Sequence, residues 1–197
     1  DFIDSLFDKG RLNKDFEQAH EIYLGGHCSG NRSLDAQPRH FFGADTTPRS
    51  SWIEPSDLLD LNLRADLVVH LACQSGLFDV DNNGGAVSFS RAFLLAGAHS
   101  VLSTQYLADE ASTIKLVHLF RDEIASGYPK DVALQRAKLS YLAQCRTLEE
   151  ALPIHWAGWQ ILGETGPMVT KKSTLCTWLL AAIVLGIGAI GLYVRYR

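Results

Sequence analysis

No CxxC pair occurs anywhere in the chain, and its four cysteines, Cys28, Cys73, Cys145 and Cys176, are scattered. Zinc ribbons and thioredoxin-type centres need that paired spacing, so both are excluded. A zinc site can be drawn from His27, Cys28, His40 and Cys73, but without paired ligand spacings no metal or organic cofactor is expected. A basic run is missing too. Charges are dispersed over a net −4, which argues against nucleic acid as a partner. There is no initiating methionine. The chain opens at Asp1 in mid-pattern, as the C-terminal part of a longer or processed protein would.

Charge is also absent from Thr174–Val194, a stretch of 21 residues rich in Leu, Ile and Val. At about 1.5 Å per residue it would span the roughly 30 Å hydrocarbon core of a bilayer. Trp178 and Tyr193 fall near its ends, where amphipathic rings anchor. It holds no GxxxG, so helix dimerisation is only weakly signalled. Lys171 and Lys172 precede the span, and Arg195 and Arg197 follow in the short tail 195–197. Two positives face two, so the positive-inside rule leaves the orientation open. The expectation is a single-pass protein of a membrane, taken to be a bacterial inner membrane, with the lipid bilayer as partner through 174–194.

What is present is apolar and periodic. The chain is 47% hydrophobic over 197 residues, enough for one domain with a sizeable core. Residues 2–12 space Phe2 and Leu6 as a helix face within a helical lead-in, 1–20. Strands are expected at 21–26, 66–73, 100–103 and 155–162, with short ones at 40–43 and 51–53. Helices are expected at 55–61, 85–96, 108–126, with Ile114, Leu116, Val117 and Phe120 inward, and from Pro129 to about Cys145. Strand and helix alternate, so the class is α/β with a mainly parallel sheet.

Two strands carry the chemistry. Glu21-Ile-Tyr-Leu-Gly-Gly-His27-Cys28 ends in histidine, and Asp66-Leu-Val-Val-His-Leu-Ala-Cys73-Gln-Ser-Gly76 ends in cysteine. Parallel sheets place chemistry just beyond the carboxyl ends of their strands. Neighbouring strands would therefore present His27 and Cys73 to each other. Thiolate attack needs a base within reach and donors for the oxyanion. His27 can take the thiol proton and later give it to a leaving amine. The backbone N–H groups of Cys28 and Cys73 are the expected oxyanion donors. The histidine precedes the cysteine by 46 positions, near the roughly 50 of caspases.

The stretch from Glu21 to Glu164 resembles the CHAT domain of the caspase-like, clan CD cysteine peptidases. Tyr23-Leu-Gly-Gly-His27 resembles the family's histidine strand, and 66–76 its "ADLVVLSACxTG" strand. Gly85–Val101, Ala133–Leu139 and His155–Gly163 resemble the segments that follow. The resemblance implies a caspase-like three-layer sandwich over 21–166, and a cysteine endopeptidase acting on protein or peptide substrates with His27 and Cys73 as its dyad. It also implies tetratricopeptide repeats upstream in the same chain. Three positions depart from the pattern. Cys28 stands where the family has Gly after its histidine, Leu71 where it has Ser, and Gln105 where it has Trp. The alternative is a catalytically inactive CHAT domain serving as a membrane-anchored scaffold or sensor. A hydrolase or acyltransferase using the same dyad is a third reading. A Cys28–Cys73 disulfide would silence the nucleophile. His70, His118 and His155 are read as packing or surface histidines. The acidic loop at Asp79 and Asp81 is read as solvated, with substrate recognition or calcium binding as its alternatives.

Overall fold

A computed structural model describes residues 17–29, 39–41, 52–72, 79–80, 86–105 and 109–168. At its centre is a four-stranded sheet, β1 (Glu21–Leu24), β5 (Leu67–His70), β8 (Ser100–Thr104) and β9 (Trp159–Gly163), adjacent in that order. The first three strands run parallel and β9 is antiparallel to β8. A second sheet joins β2 (His27–Ser29), β3 (Arg39–Phe41) and β4 (Trp52–Ile53), all antiparallel. β6 (Asp79–Val80) and β7 (Ala86–Val87) form a separate pair. The helices are α1 (Pro55–Leu58), α2 (Phe89–Leu95), α3 (Glu110–Ala125) and α4 (Lys130–Ala143).

Burial follows strand position. β1, at the edge, alternates: Ile22 and Leu24 are buried, Glu21 and Tyr23 exposed. All four residues of β5 and all five of β8 are buried, as expected of strands covered on both faces. Ile22, Leu24, Val68 and Val101 pack with Leu58, Phe89, Ala92 and Phe93, so α1 and α2 cover one face. Leu67, Val69 and Leu102 pack with Leu116, Phe120, Ala133, Leu134 and Ala137, so α3 and α4 cover the other. The result is the expected α/β sandwich of three layers.

Several boundaries differ from the sequence reading, each for a local reason. The strand expected at 21–26 stops at Leu24, and His27 opens β2 in the second sheet instead of closing β1. The strand expected at 66–73 is laddered only over 67–70. The helix expected from Gly85 begins at Phe89: Ala86 and Val87 pair with Val80 and Asp79, and the Ser88 hydroxyl accepts the Arg91 N–H to cap the helix. The strand expected at 155–162 starts at Trp159, opposite Thr104 where β8 ends. Before it, Pro153–His155 forms a 3₁₀ turn. Ala157 N–H donates to Pro153 O and the Trp156 indole to Ala151 O, so the backbone is satisfied locally. Ile114, expected inside, is half-exposed, because α3 buries a narrower stripe through Ser112, Leu116 and Phe120. The helix expected at 2–12 and the apolar span 174–194 lie outside the described residues. Among the described residues no helix is long and apolar enough to cross a membrane.

Candidate active site

The site is set by how β1 and β5 leave the sheet. Their parallel register pairs Leu24 with His70, and Leu71 N–H donates to Leu24 O at 2.8 Å. The two chains therefore exit side by side at the carboxyl edge. His27 lies three residues beyond Leu24, and Cys73 three residues beyond His70.

After Leu24 the chain bends through Gly25 and Gly26 into β2. A Cβ at Gly26 would collide with the Phe41 carbonyl oxygen and come within 2.7 Å of His40 Nε2. Glycine is required here by close approach of β3. β2 then runs antiparallel to β3, with His27 opposite Phe41 and Cys28 opposite His40. Both His27 and Cys28 thus belong to a hairpin strand beside the exit of β1. Cys73 and Asp81 lie outside the described residues, and Asp79 is in β6.

Beneath this edge lies a buried pair of histidines, His70, which the sequence reads as a packing or surface residue, and His40, which it offers only as a ligand of the unexpected zinc site. His70 Nε2 is 2.8 Å from His40 Nδ1, and both rings are fully buried. Phe89 and Phe93, one helical turn apart on α2, stand edge-on to His70 at 5.1 and 5.8 Å. Burial, reinforced by the neighbouring His40, holds the His70 pKa well below the usual histidine value. His70 is thereby kept neutral. A signal for the pair was present in the sequence: position 70 shares the α2 face with Val68, and an imidazole there must find a partner.

At the exit of β8, Asp109 caps α3 by accepting Ser112 N–H at 3.0 Å. It also meets His155 Nδ1 at 2.6 Å. Burial alone would raise the Asp109 pKa, but the Ser112 hydroxyl and N–H and His155 together lower it. His155 is thus a hydrogen-bond partner of Asp109 at this edge. Asp109, Lys115, Tyr141, Arg146, Glu150 and His155 line an open cleft of about 960 Å³. Both signs of charge and the Tyr141 ring meet there. Cys145, also in this cleft, is a free thiol whose Sγ lies 3.3 Å from Tyr141 O. Among the described residues no cluster of three or more His, Cys, Asp or Glu side chains could hold a metal ion.

The family model of the CHAT domain matches residues 3–164. Tetratricopeptide repeat protein 28 of Mus musculus is 30% identical over 127 residues, which are 64% of this chain and 5% of that protein. Its Homo sapiens counterpart is 30% identical over 120 residues, 61% of this chain and 5% of that protein. The chain thus spans about a twentieth of the length of these relatives. Among solved structures, the complex of Porphyromonas gingivalis RgpB pro- and mature domains is similar with a TM-score of 0.53 and 14% identity, covering 82% of this chain and 37% of that one. The Arg-specific cysteine proteinase gingipain R is similar with a TM-score of 0.53 and 12% identity, covering 82% and 36%. At such identity the likeness is one of fold, and the fold is caspase-like.

Proposed function

The chain belongs to the CHAT domain family, and on that premise we propose that it is a membrane-tethered, caspase-like cysteine endopeptidase. Cys73 is the nucleophile and His27 its base. His27 takes the thiol proton, and Sγ adds to the scissile carbonyl carbon. The N–H groups of Cys28 and Cys73 receive the oxyanion. His27 then returns the proton to the leaving amine as the C–N bond breaks. Water, deprotonated by His27, hydrolyses the remaining thioester. The span 174–194 holds the domain at a bilayer, and tetratricopeptide repeats precede it in the same chain.

The observation that carries this reading is the shared exit of β1 and β5. Leu71 N–H bonded to Leu24 O sets the two motif-bearing segments adjacent, each three residues before its chemical group. The caspase-like fold and the relatives' tetratricopeptide repeats accord with it. The cleft beside β8 supplies room for a peptide on the same edge.

A second reading is favoured by one residue. Cys28 occupies the position where the resemblance calls for glycine, and a side chain there would burden an oxyanion donor. The domain would then be an inactive, membrane-anchored scaffold. A peptidyl electrophile distinguishes the two. It is expected to label the wild type, to spare Cys73→Ala, and to label His27→Ala roughly 100-fold or more slowly. Equal labelling of wild type and Cys73→Ala would sink the enzyme reading.

A further inference from the structure

We propose that the buried His40–His70 hydrogen bond is a positioning clamp, holding the hairpin that carries His27 against the strand that leads to Cys73. This rests on the dyad reading above.

Two imidazoles fully removed from water are a costly way to fill space. An apolar side chain at position 70 would pack against Phe89 and Phe93 more cheaply, and the CHAT strand quoted above has leucine at that place. What leucine cannot supply is direction. The N–H···N contact between His70 Nε2 and His40 Nδ1, at 2.8 Å, fixes both the distance and the angle between β5 and β3. The two strands belong to different sheets, so no backbone ladder joins them.

The clamp reaches both halves of the dyad. His70 is the last residue of β5, three before Cys73. The other ring, His40, lies directly across from Cys28 in the β2–β3 register. Its Nε2 sits where a Cβ at Gly26 would come within 2.7 Å, so the ring packs against the backbone immediately before His27. A continuous path therefore runs from the end of β5 through His70 and His40 to Gly26, which immediately precedes His27. Phe89, edge-on to both rings at 5.1 and 6.1 Å, closes it from the α2 side. Catalytic pairs tolerate little misplacement, and about 1 Å is enough to lose roughly 100-fold in rate. In this role His40 and His70 act through His27 and Cys73 as positioning residues.

The test compares His70→Leu, which fills the space without the bond, with His70→Gln, whose amide can bond where Nε2 does. Both are made in the full chain. Two quantities are read: the inactivation rate and affinity for a peptidyl electrophile at Cys73, and hydrogen exchange of the β2–β3 amides. For His70→Leu the maximal inactivation rate should fall roughly ten- to 100-fold with affinity little changed. Exchange over β2 and β3 should rise roughly fivefold or more. His70→Gln should restore both. If His70→Leu matches wild type in both quantities, the clamp is refuted. A merely structural role would lower thermal stability in His70→Leu while leaving the inactivation rate of the folded protein unchanged, and that result also overturns the proposal. If wild type is not labelled at all, the dyad reading fails. Faster exchange in His70→Leu, reversed in His70→Gln, would then still establish the clamp between hairpin and strand.

Discussion

Lys130 Nζ lies 2.9 Å from Asp66 Oδ1, and both side chains are almost entirely buried although 64 residues separate them. Five segments meet at this pair. Asp66 N–H donates to His20 O just before β1, and the Ser100 hydroxyl donates to Asp66 O at the start of β8. Lys130 N–H donates to Thr165 O just after β9, at the first turn of α4. His99 Nδ1 stands 3.5 Å from the same carboxylate oxygen. The joint therefore anchors the amino-terminal end of β5, opposite the end that leads to Cys73.

Lys130→Met keeps the volume and leaves Asp66 buried without its cation. Breaking a buried pair from one side costs about 3–5 kcal/mol. The expected result is an unfolding free energy, read from urea titration, lowered by that much, while Asp66→Leu with Lys130→Met recovers most of the loss. A single variant as stable as wild type would show that the Asp66–Lys130 pair does not hold this joint.

Gly26→Ala forces a methyl group toward the Phe41 carbonyl and the His40 ring. Backbone must shift, at roughly 1–3 kcal/mol. The shift falls one residue before His27. Thermal melting should show the modest loss, and electrophile labelling of Cys73 should slow by more than the lost stability explains. Labelling unchanged in a destabilised variant would separate the bend from the chemistry.

Acid should weaken the domain through His70. Its folded pKa is depressed well below 6.5, by burial first and His40 second. Among the described residues, His40 on β3 and the rings of Phe89 and Phe93 on α2 face it. In the unfolded chain the imidazole titrates near 6.5. Between the two values the unfolded state binds the extra proton, so stability rises with pH across that window. It is fully present above about 6.5 and is lost as pH falls toward the folded value. Urea midpoints measured from pH 7.5 down to 5 should decline, and His70→Gln should flatten the decline. Parallel curves for the two proteins would remove His70 as the source.

Deleting 174–194 tests the tether. The full chain should remain in the membrane pellet after alkaline carbonate extraction, because an uncharged run of this length partitions into hydrocarbon. The truncated chain should move to the supernatant and keep its electrophile labelling. A full chain that is itself extracted by carbonate would contradict the span.

The class of fold was legible before any coordinates. Strand and helix alternate along the chain, and the apolar run at 67–69 is what a strand covered on both faces requires. The α3 helix was legible from its amphipathic period and α2 from a stretch apolar almost all round, with edges set by the caps at Ser88 and Asp109. The strand boundaries were less so. Ladder pairing depends on where a neighbour ends, and Trp159 begins β9 only because Thr104 ends β8.

For the site, sequence by itself determined the chemical types: a histidine and a cysteine, each just past an apolar strand, in the order and spacing of a thiol dyad. Tertiary structure alone decided how those strands leave the sheet. It paired Leu24 with His70, moved His27 into a hairpin of a second sheet, and bonded His40 to His70 across 30 residues of chain. Local pattern records which face of a strand is apolar. It does not record which distant residue meets that face, because such a partner is chosen by the packing of β5, β3 and α2 together. A histidine at position 70 therefore reads as filler in one dimension and as one half of a buried hydrogen bond in three.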